Sequence, residues 1–418
     1  MTLTPSATLG IDFGTSNSAM AWADAGGQAQ LIALEGHSVS MPTAVFYPAE
    51  EPGVHFGRDA VAQYLNGTEG RMMRSLKSLL GSSLLLETTQ INHQRISFQD
   101  IITTFLAALH ERASRTLGGV PRRVVMGRPV HFVDDSPERD AQAQQSVLQA
   151  ALAAGFEEVS FQLEPIAAAL DYERRLSRES TVLVADVGGG TSDFTVVRLG
   201  PGRLAQADRS VDVLATTGLH LGGTDFDHKL SLELLMPLLG YRHIGPDQRE
   251  VPSRVFFDLS TWHLINWLYQ QRALSQAQGL RSNYADKQLH ERLMRVLGER
   301  LGHRMAYDVE QAKIGCSQLD AAAHMALPYI EAGLSARLES GDLREHLADM
   351  LGRTVACARE CVKRAGLSDG AIDAIYLTGG SSALRPFQRA LQSEFTDVAL
   401  VEGDLFGGVA SGLAYSVV

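Results

Sequence analysis

Cysteine is scarce in this chain: its 418 residues hold three, Cys316, Cys357 and Cys361. That is the usage of a reducing compartment rather than of a disulfide-stapled secreted domain, so a cytoplasmic location is expected. Cys357 and Cys361 stand one helical turn apart in ACARECVKRAG, and two thiols do not complete a tetrahedral metal site. Long apolar runs are lacking too. No uncharged stretch approaches the roughly 20 residues of a membrane span, and the start MTLTPSATLGIDF has no basic segment leading into an apolar one. Neither insertion nor export is expected. A basic surplus is missing as well: 37 Lys and Arg against 48 Asp and Glu give a formal charge of −11. This is the wrong balance for a surface devoted to phosphate backbones, so no nucleic-acid partner is expected, and a polyanionic ligand would need a local solution.

What is present is an ordinary globular composition, 45% hydrophobic and 20% charged, in a chain too long for one core. The first segment reads as strand, turn, strand in ATLGID, FGTSN and SAMAWAD, with AQLIAL following. SFQDIITTFLAALHERASRTLG carries apolar residues at spacings of three and four and predicts a helix ending near Gly118. RRVVMGRPVHF predicts a buried strand. SPERDAQAQQSVLQAALAAGF predicts a helix with Ser136 as N-cap candidate, Pro137 at its first position and Gly155 near its stop. After the short strand VSFQL, EPIAAALDYERRL predicts a helix opened by Pro165.

STVLVADVGGGTSDFTVVRL then repeats the first pattern, because Asp12 and Asp186 each end an apolar strand ahead of a glycine-rich turn with Thr and Ser. Two similar lobes are implied. A mostly helical stretch from Asp227 to about Gly366 interrupts the second, and IDAIYLTGGSSAL returns to a strand and a Gly-Gly turn.

Glycine lets backbone N–H groups approach a phosphate closely, and Thr and Ser hydroxyls add donors. Carboxylates beside a polyphosphate repel it unless a divalent cation lies between, and magnesium combines one or two carboxylates with water and phosphate oxygens. Asp12, Asp186 and Asp193 meet that need. A single Asp-x-Gly-Thr is an ordinary hairpin turn; two copies with a third Gly-Gly-Ser turn favour a nucleotide.

The segments GIDFGTSNS, VLVADVGGGTSDFTVV, LHLGGTDFD and IYLTGGSSAL, in this order, resemble the phosphate and adenosine signatures of the actin-like ATPase superfamily. They are most similar to the nucleotide-binding domain of DnaK-type heat-shock chaperones (Hsp70), including the short bacterial YegD-like members. The resemblance covers nearly the whole chain outside about 229–305. It implies an α/β, actin-like ATPase fold: two ribonuclease-H-like lobes with a central nucleotide cleft and a helical insertion in the second lobe. The first lobe would span 1–175 with 37–114 inserted, the second 176–396 with 228–345 as a mainly helical insertion, and 397–418 would return to the first.

Carried over residue by residue, the resemblance puts Gly14, Thr15 and Ser16 in the first phosphate loop, and Gly188, Gly189, Gly190 and Thr191 in the second. Asp12, Asp186 and Asp193 would hold Mg through water and, with Glu164, form the catalytic set. Gly222 and Gly223 would line the nucleotide, Glu310, Lys313 and Ser317 in VEQAKIGCS would meet ribose and purine, and Gly379, Gly380 and Ser381 would close over it. Without the resemblance, Glu164 reads as a first-turn helix acid suited to the dipole, and Glu310 with Lys313 as a solvated ion pair.

Three departures stand out. The family's lysine after its GDAAK-like segment falls on Val61 or Ala62 in GRDAVAQ, so the expected cation is missing there; Arg58, Arg74 or Lys77 could substitute, or could be solvated surface residues. An arginine packing on adenine is replaced by Ile314, and another by Ala383. The chain also stops at GGVASGLAYSVV, so no peptide-binding domain is expected. In the insertion, STWHLINWLYQQRAL carries Trp262, Trp267 and Tyr269, as core or as a partner-binding stripe.

The expected function is an ATP/ADP- and Mg-binding protein with weak, Mg-dependent ATPase activity, whose lobe closure is read by a protein partner or co-chaperone, as a monomer or weak oligomer. A nucleotide-gated switch without turnover and a small-molecule kinase of the same superfamily are the alternatives.

Overall fold

The computed structural model describes residues 8–23, 28–82, 85, 87–91, 94–133, 136–204, 206, 209–405 and 407–416. The chain forms two compact units, one from the residues up to Leu219 together with Cys357–Ser382 and the segment from Phe395 on, the other from His220–Ala356 and Ala383–Glu394.

The first unit holds two sheets with the same plan. In one, Thr8–Phe13 pairs antiparallel with Asn17–Ala23 and parallel with Arg123–Arg128, which pairs parallel with Glu158–Leu163; Ala29–Leu31 and Ser40–Pro42 extend the hairpin side. In the other, Ser180–Val187 pairs antiparallel with Ser192–Leu199 and parallel with Ala374–Thr378, with Val213–Leu219 and Ala399–Glu402 at the edges. The duplication read from the two Asp-terminated strands is therefore a duplication of sheet order. Both central strands are apolar on both faces, as strands covered on each side must be: Leu9, Ile11, Val182, Leu183 and Val184 are all buried.

Two helices join these sheets into one core. Glu164–Glu173 and Gly408–Tyr415 contribute Ile166, Ala167 and Leu413 to a cluster with Val125, Val182, Val197 and Tyr376. They cross closely enough that a side chain at Gly412 would overlap the Ala167 carbonyl.

The helix Phe98–Leu117 starts in a capping box, with Ser97 Oγ accepting the Asp100 N–H, and stops at Gly118 in the left-handed region (φ 67°). Pro137 opens the helix Pro137–Ala153, but the Ser136 side chain makes no capping hydrogen bond. The N-cap expected of Ser136 is thus not formed.

The second unit is mainly helical, with Gly223–Leu234, Arg254–Ser260, Gln271–Gly279, Lys287–Gly298, Gly302–Leu319 and Arg385–Glu394, plus a hairpin of Ala323–Ala326 and Ser335–Leu338. Its aromatic segment divides. Trp262 stands edge-on to His303 and the Tyr269 hydroxyl accepts the Gly302 N–H, whereas Trp267 is exposed. Among the described residues no helix is long and apolar enough to cross a membrane.

Candidate functional site

Both glycine-rich turns belong to the first unit, each where a buried strand ends. After Asp12 the chain turns at Gly14, where a Cβ would overlap the Asn17 carbonyl, so only glycine fits. Thr43, fully buried, braces this turn from outside: its hydroxyl donates to the Gly14 carbonyl (2.8 Å) and its N–H to the Ser16 carbonyl (2.9 Å). Since that hydroxyl's proton is used, the Ser18 hydroxyl 2.9 Å away donates to Thr43 Oγ1. The turn is held from behind, and its Thr15 and Ser16 stay half-buried.

The second turn is closed by the Gly188 N–H donating to the Thr191 carbonyl (2.9 Å). Register places Asp186 directly opposite Asp193 across the hairpin. Like charges in that position repel, and glycines give the carboxylates room. A Cβ on Gly218 would lie 2.5 Å from Asp193 Oδ1, and one on Gly379 would overlap Asp186 Oδ1 and sit 2.6 Å from the Val187 carbonyl. Gly379 is also left-handed (φ 78°), with its carbonyl accepting the Ser382 hydroxyl at 2.7 Å.

Glu164 opens the helix Glu164–Glu173, and its carboxylate lies beside Gly127, where a Cβ would come within 3.2 Å of Oε1. Its partner is Lys77, on the short 3-10 turn Leu76–Leu79, with Nζ 2.6 Å from Oε1 and both side chains nearly buried. This corrects the missing cation. Val61 packs beside Ala44 and Phe46 and Ala62 faces solvent on the helix Gly57–Leu65, while the charge comes from Lys77, one of the three substitutes the sequence offered. Arg58 instead pairs with Glu35.

The site is overloaded with negative charge. Burial, then the Glu164 carboxylate, raises the Asp12 pKa to about 7, with Lys77 pulling it down. Burial, then Asp193, Glu164 and Asp12, raises Asp186 to about 8. Burial opposes the Lys77 charge, but Glu164, Asp12 and Asp186 outweigh it and lift its pKa above the ordinary value. Three acids, Glu164, Asp12 and Asp186, thus share Lys77, and Asp193 adds its charge to Asp186. That donor set fits a divalent cation held through water, since a cation would offset the burial and the mutual repulsion that raise the pKa values of Asp12 and Asp186. Among the described residues no three His, Cys, Asp or Glu side chains cluster as direct ligands.

In the second unit, Gly222 and Gly223 form the start of the helix Gly223–Leu234, where the Gly222 N–H donates to Asp225 Oδ2 (2.8 Å). Glu310, Lys313 and Ser317 lie on the helix Gly302–Leu319. Lys313 is buried, with Nζ 2.8 Å from Asp227 Oδ1 and 3.2 Å from the Gly223 carbonyl. Burial, against the pull of Lys313 and with a push from Glu310, raises Asp227 to about 6. Glu310 is exposed, Ile314 stands at the surface, and Ser317 Oγ accepts the Arg385 N–H (2.9 Å).

The structure therefore gathers Asp12, Glu164 and Asp186 about Lys77, with Asp193 across the hairpin from Asp186 and Gly14, Gly188 and Gly379 turning beside them. Gly189, Gly190, Thr191 and Ser381 are half-buried and Gly380 is exposed. Sequence reasoning missed Thr43, which belongs to no motif, and gave no role to Asp227, although it closes LHLGGTDFD.

Comparison with known proteins identifies the family. The sequence model of the Hsp70 protein family matches residues 8–237, more than half the chain. The chaperone protein DnaK of Thermotoga petrophila is 33% identical over 225 residues, covering 53% of this chain and 34% of that protein. DnaK of Thermosipho africanus is 27% identical over 395 residues, covering 93% of this chain and 54% of that protein. The chain spans from about a third to about half the length of the curated relatives it matches.

Proposed function

The chain belongs to the Hsp70 family, and on that premise we propose that it binds ATP with magnesium and hydrolyses it slowly, its nucleotide state being read by a protein partner. The two like-ordered sheets are taken as the cores of two lobes, with the phosphates held at the turns that end their central strands. The observation that carries this reading is the excess of carboxylates: Asp12, Glu164 and Asp186 surround the ammonium of Lys77, and Asp193 adds its charge to Asp186.

Asp12, Asp186 and Asp193 would hold magnesium through its waters, and the bound ion would supply charge compensation for the phosphates. Phosphoryl transfer to water depends mainly on positioning and on cancelling charge over the phosphoryl oxygens. The turns at Gly14–Ser16 and Gly188–Thr191 offer backbone N–H groups, and Gly379, Gly380 and Ser381 line the same end of the second sheet. Lys77 supplies a fixed positive charge. Glu164, held by Lys77, orients the attacking water and accepts hydrogen bonds from it through its second oxygen. In the second unit Gly222, Gly223, Glu310, Lys313 and Ser317 are assigned to the nucleoside, with Lys313 already fixed by Asp227. The alternative of a switch without turnover rests on the lysine absent at 61 and 62 and on Ile314 and Ala383; Lys77 beside Glu164 answers the first of these and supports hydrolysis.

Single-turnover conversion of labelled ATP tests the reading. Wild type should convert bound ATP within minutes and Glu164→Ala should slow this about a hundredfold or more. Equal rates would refute the role given to Glu164, and unchanged ATP after many hours would refute hydrolysis.

A further inference from the structure

The helix that carries Glu164 at its first position carries Glu173 at its last, and Glu173 is fully buried. Glu173 Oε1 accepts the Gly200 N–H (2.8 Å) and Arg209 Nη2 (2.9 Å), and Oε2 accepts Arg209 Nη1 (3.0 Å). Arg209, itself buried, turns its Nε to Asp212, which also receives Arg203. Two arginines and two buried acids form a charged network inside the protein, with Glu179 reaching Arg203 from the surface.

Such a network contributes little net stability compared with apolar side chains of the same volume, because desolvation offsets the attraction; what it can specify is placement. Apolar packing keys this helix only in part. Its buried face sets Ile166 and Leu170 on either side of Ala167, Ala168 and Ala169, and the three short side chains leave that stretch without ridges along the axis. Gly412, pressed against the Ala167 carbonyl, is equally smooth. The bidentate guanidinium–carboxylate pair has a fixed planar geometry and adds a directional register to the apolar contacts.

The other end of the helix has little tolerance. Ten residues at 1.5 Å rise put Glu164 about 14 Å from Glu173, and its Oε1 must reach Lys77 at 2.6 Å beside Gly127. The clamp is fastened to Gly200, the residue after the strand Ser192–Leu199 that carries Asp193. Glu164 and Asp193 are thus referred to one anchor by two rigid elements, while Lys77 approaches from the side of the first sheet, to which Gly127 belongs.

We propose that Arg209 is a positioning residue: by gripping Glu173 it sets the axial register of the helix Glu164–Glu173, and so places the Glu164 carboxylate against Lys77. The consequence for turnover rests on the ATPase reading above; the consequence for geometry does not.

The test combines crystal structures with single-turnover rates for Arg209→Ala, Arg209→Lys and Glu173→Gln. In Arg209→Ala the Lys77 Nζ to Glu164 Oε1 contact should lengthen beyond hydrogen-bonding distance. Turnover should fall about tenfold to a hundredfold with the ATP KM changed less than about threefold, the pattern of a misplaced group rather than of lost binding. Arg209→Lys, which keeps the charge without the fork, should recover part of the rate. Should Arg209→Ala fail to fold, Glu173→Gln, which keeps the side-chain shape and the acceptor for Gly200, should show a smaller displacement and a smaller fall. A Lys77–Glu164 contact unchanged in the folded variants overturns the inference, whatever the rate. A displaced contact with full turnover upholds the placement and removes Glu164 from the hydrolytic mechanism instead, and a displaced contact in a protein whose wild type leaves ATP intact does the same for the ATPase reading.

Discussion

Replacing Lys77 by methionine keeps most of the side-chain volume and removes the ammonium that faces Glu164, Asp12 and Asp186. Lys77 and Glu164 side chains are 12% and 11% exposed, so solvent screens their attraction little. Breaking a buried pair from one side typically costs about 3–5 kcal/mol because the remaining charge has no partner. Asp12, already raised to about 7, softens this by taking up a proton, and we expect about 3 kcal/mol at pH 8, less at pH 6. In urea unfolding the first unit's midpoint should fall accordingly. For hydrolysis, a lost preorganised charge costs on the order of 3–4 kcal/mol in barrier, or about a hundredfold to a thousandfold in single-turnover rate. Lys77→Arg should restore most of the stability but only part of the rate, since a planar fork does not occupy the place of a point charge. A Lys77→Met protein hydrolysing ATP within twofold of wild type would refute the reasoning, as would a mutant more stable than wild type at pH 8.

Other perturbations follow from the same geometry. Gly379→Ala places a methyl group against Asp186 Oδ1 at a left-handed φ of 78°; it should lower the Asp186-dependent magnesium affinity about tenfold or more while costing about 1–2 kcal/mol of stability, read by titration and by thermal unfolding. The pH dependence has a definite sign. Asp12 and Asp186 have pKa values near 7 and 8 in the fold against 3.8, so their contribution to stability is complete below about pH 4 and is lost as pH rises to about 8. Magnesium with ATP should reverse that trend above pH 7 and release protons on binding. Calorimetry in buffers of different ionisation enthalpy would detect the release, and no proton exchange at pH 7 would contradict the shared-acid picture.

Much of this was legible from sequence because it is local. The hairpins Thr8–Phe13 with Asn17–Ala23 and Ser180–Val187 with Ser192–Leu199 announce themselves by apolar strands meeting a glycine-rich turn, and the aspartates take their places from the strand ends. The helix Phe98–Leu117 is marked by its period and by Ser97 and Gly118 at its limits. What stayed hidden depends on partners far away in the chain. Lys77 lies 87 residues from Glu164, on a single 3-10 turn with no recognisable pattern, and the family resemblance pointed instead to the slot at Val61 and Ala62. Thr43 braces a turn 29 residues earlier, and Arg209 grips Glu173 36 residues before it. Ser136 shows the converse failure: the right residue type at a helix start, with its hydroxyl engaged in no capping bond.

Calorimetric titration of ATP into the protein, with magnesium and again with a chelator, bears most directly on the central claim that the crowded carboxylates exist to hold a cation-bearing triphosphate. The account predicts saturable binding with magnesium that weakens at least about tenfold without it, a difference abolished in Asp186→Asn. Equal affinity with and without the metal, or no binding in either case, would contradict it.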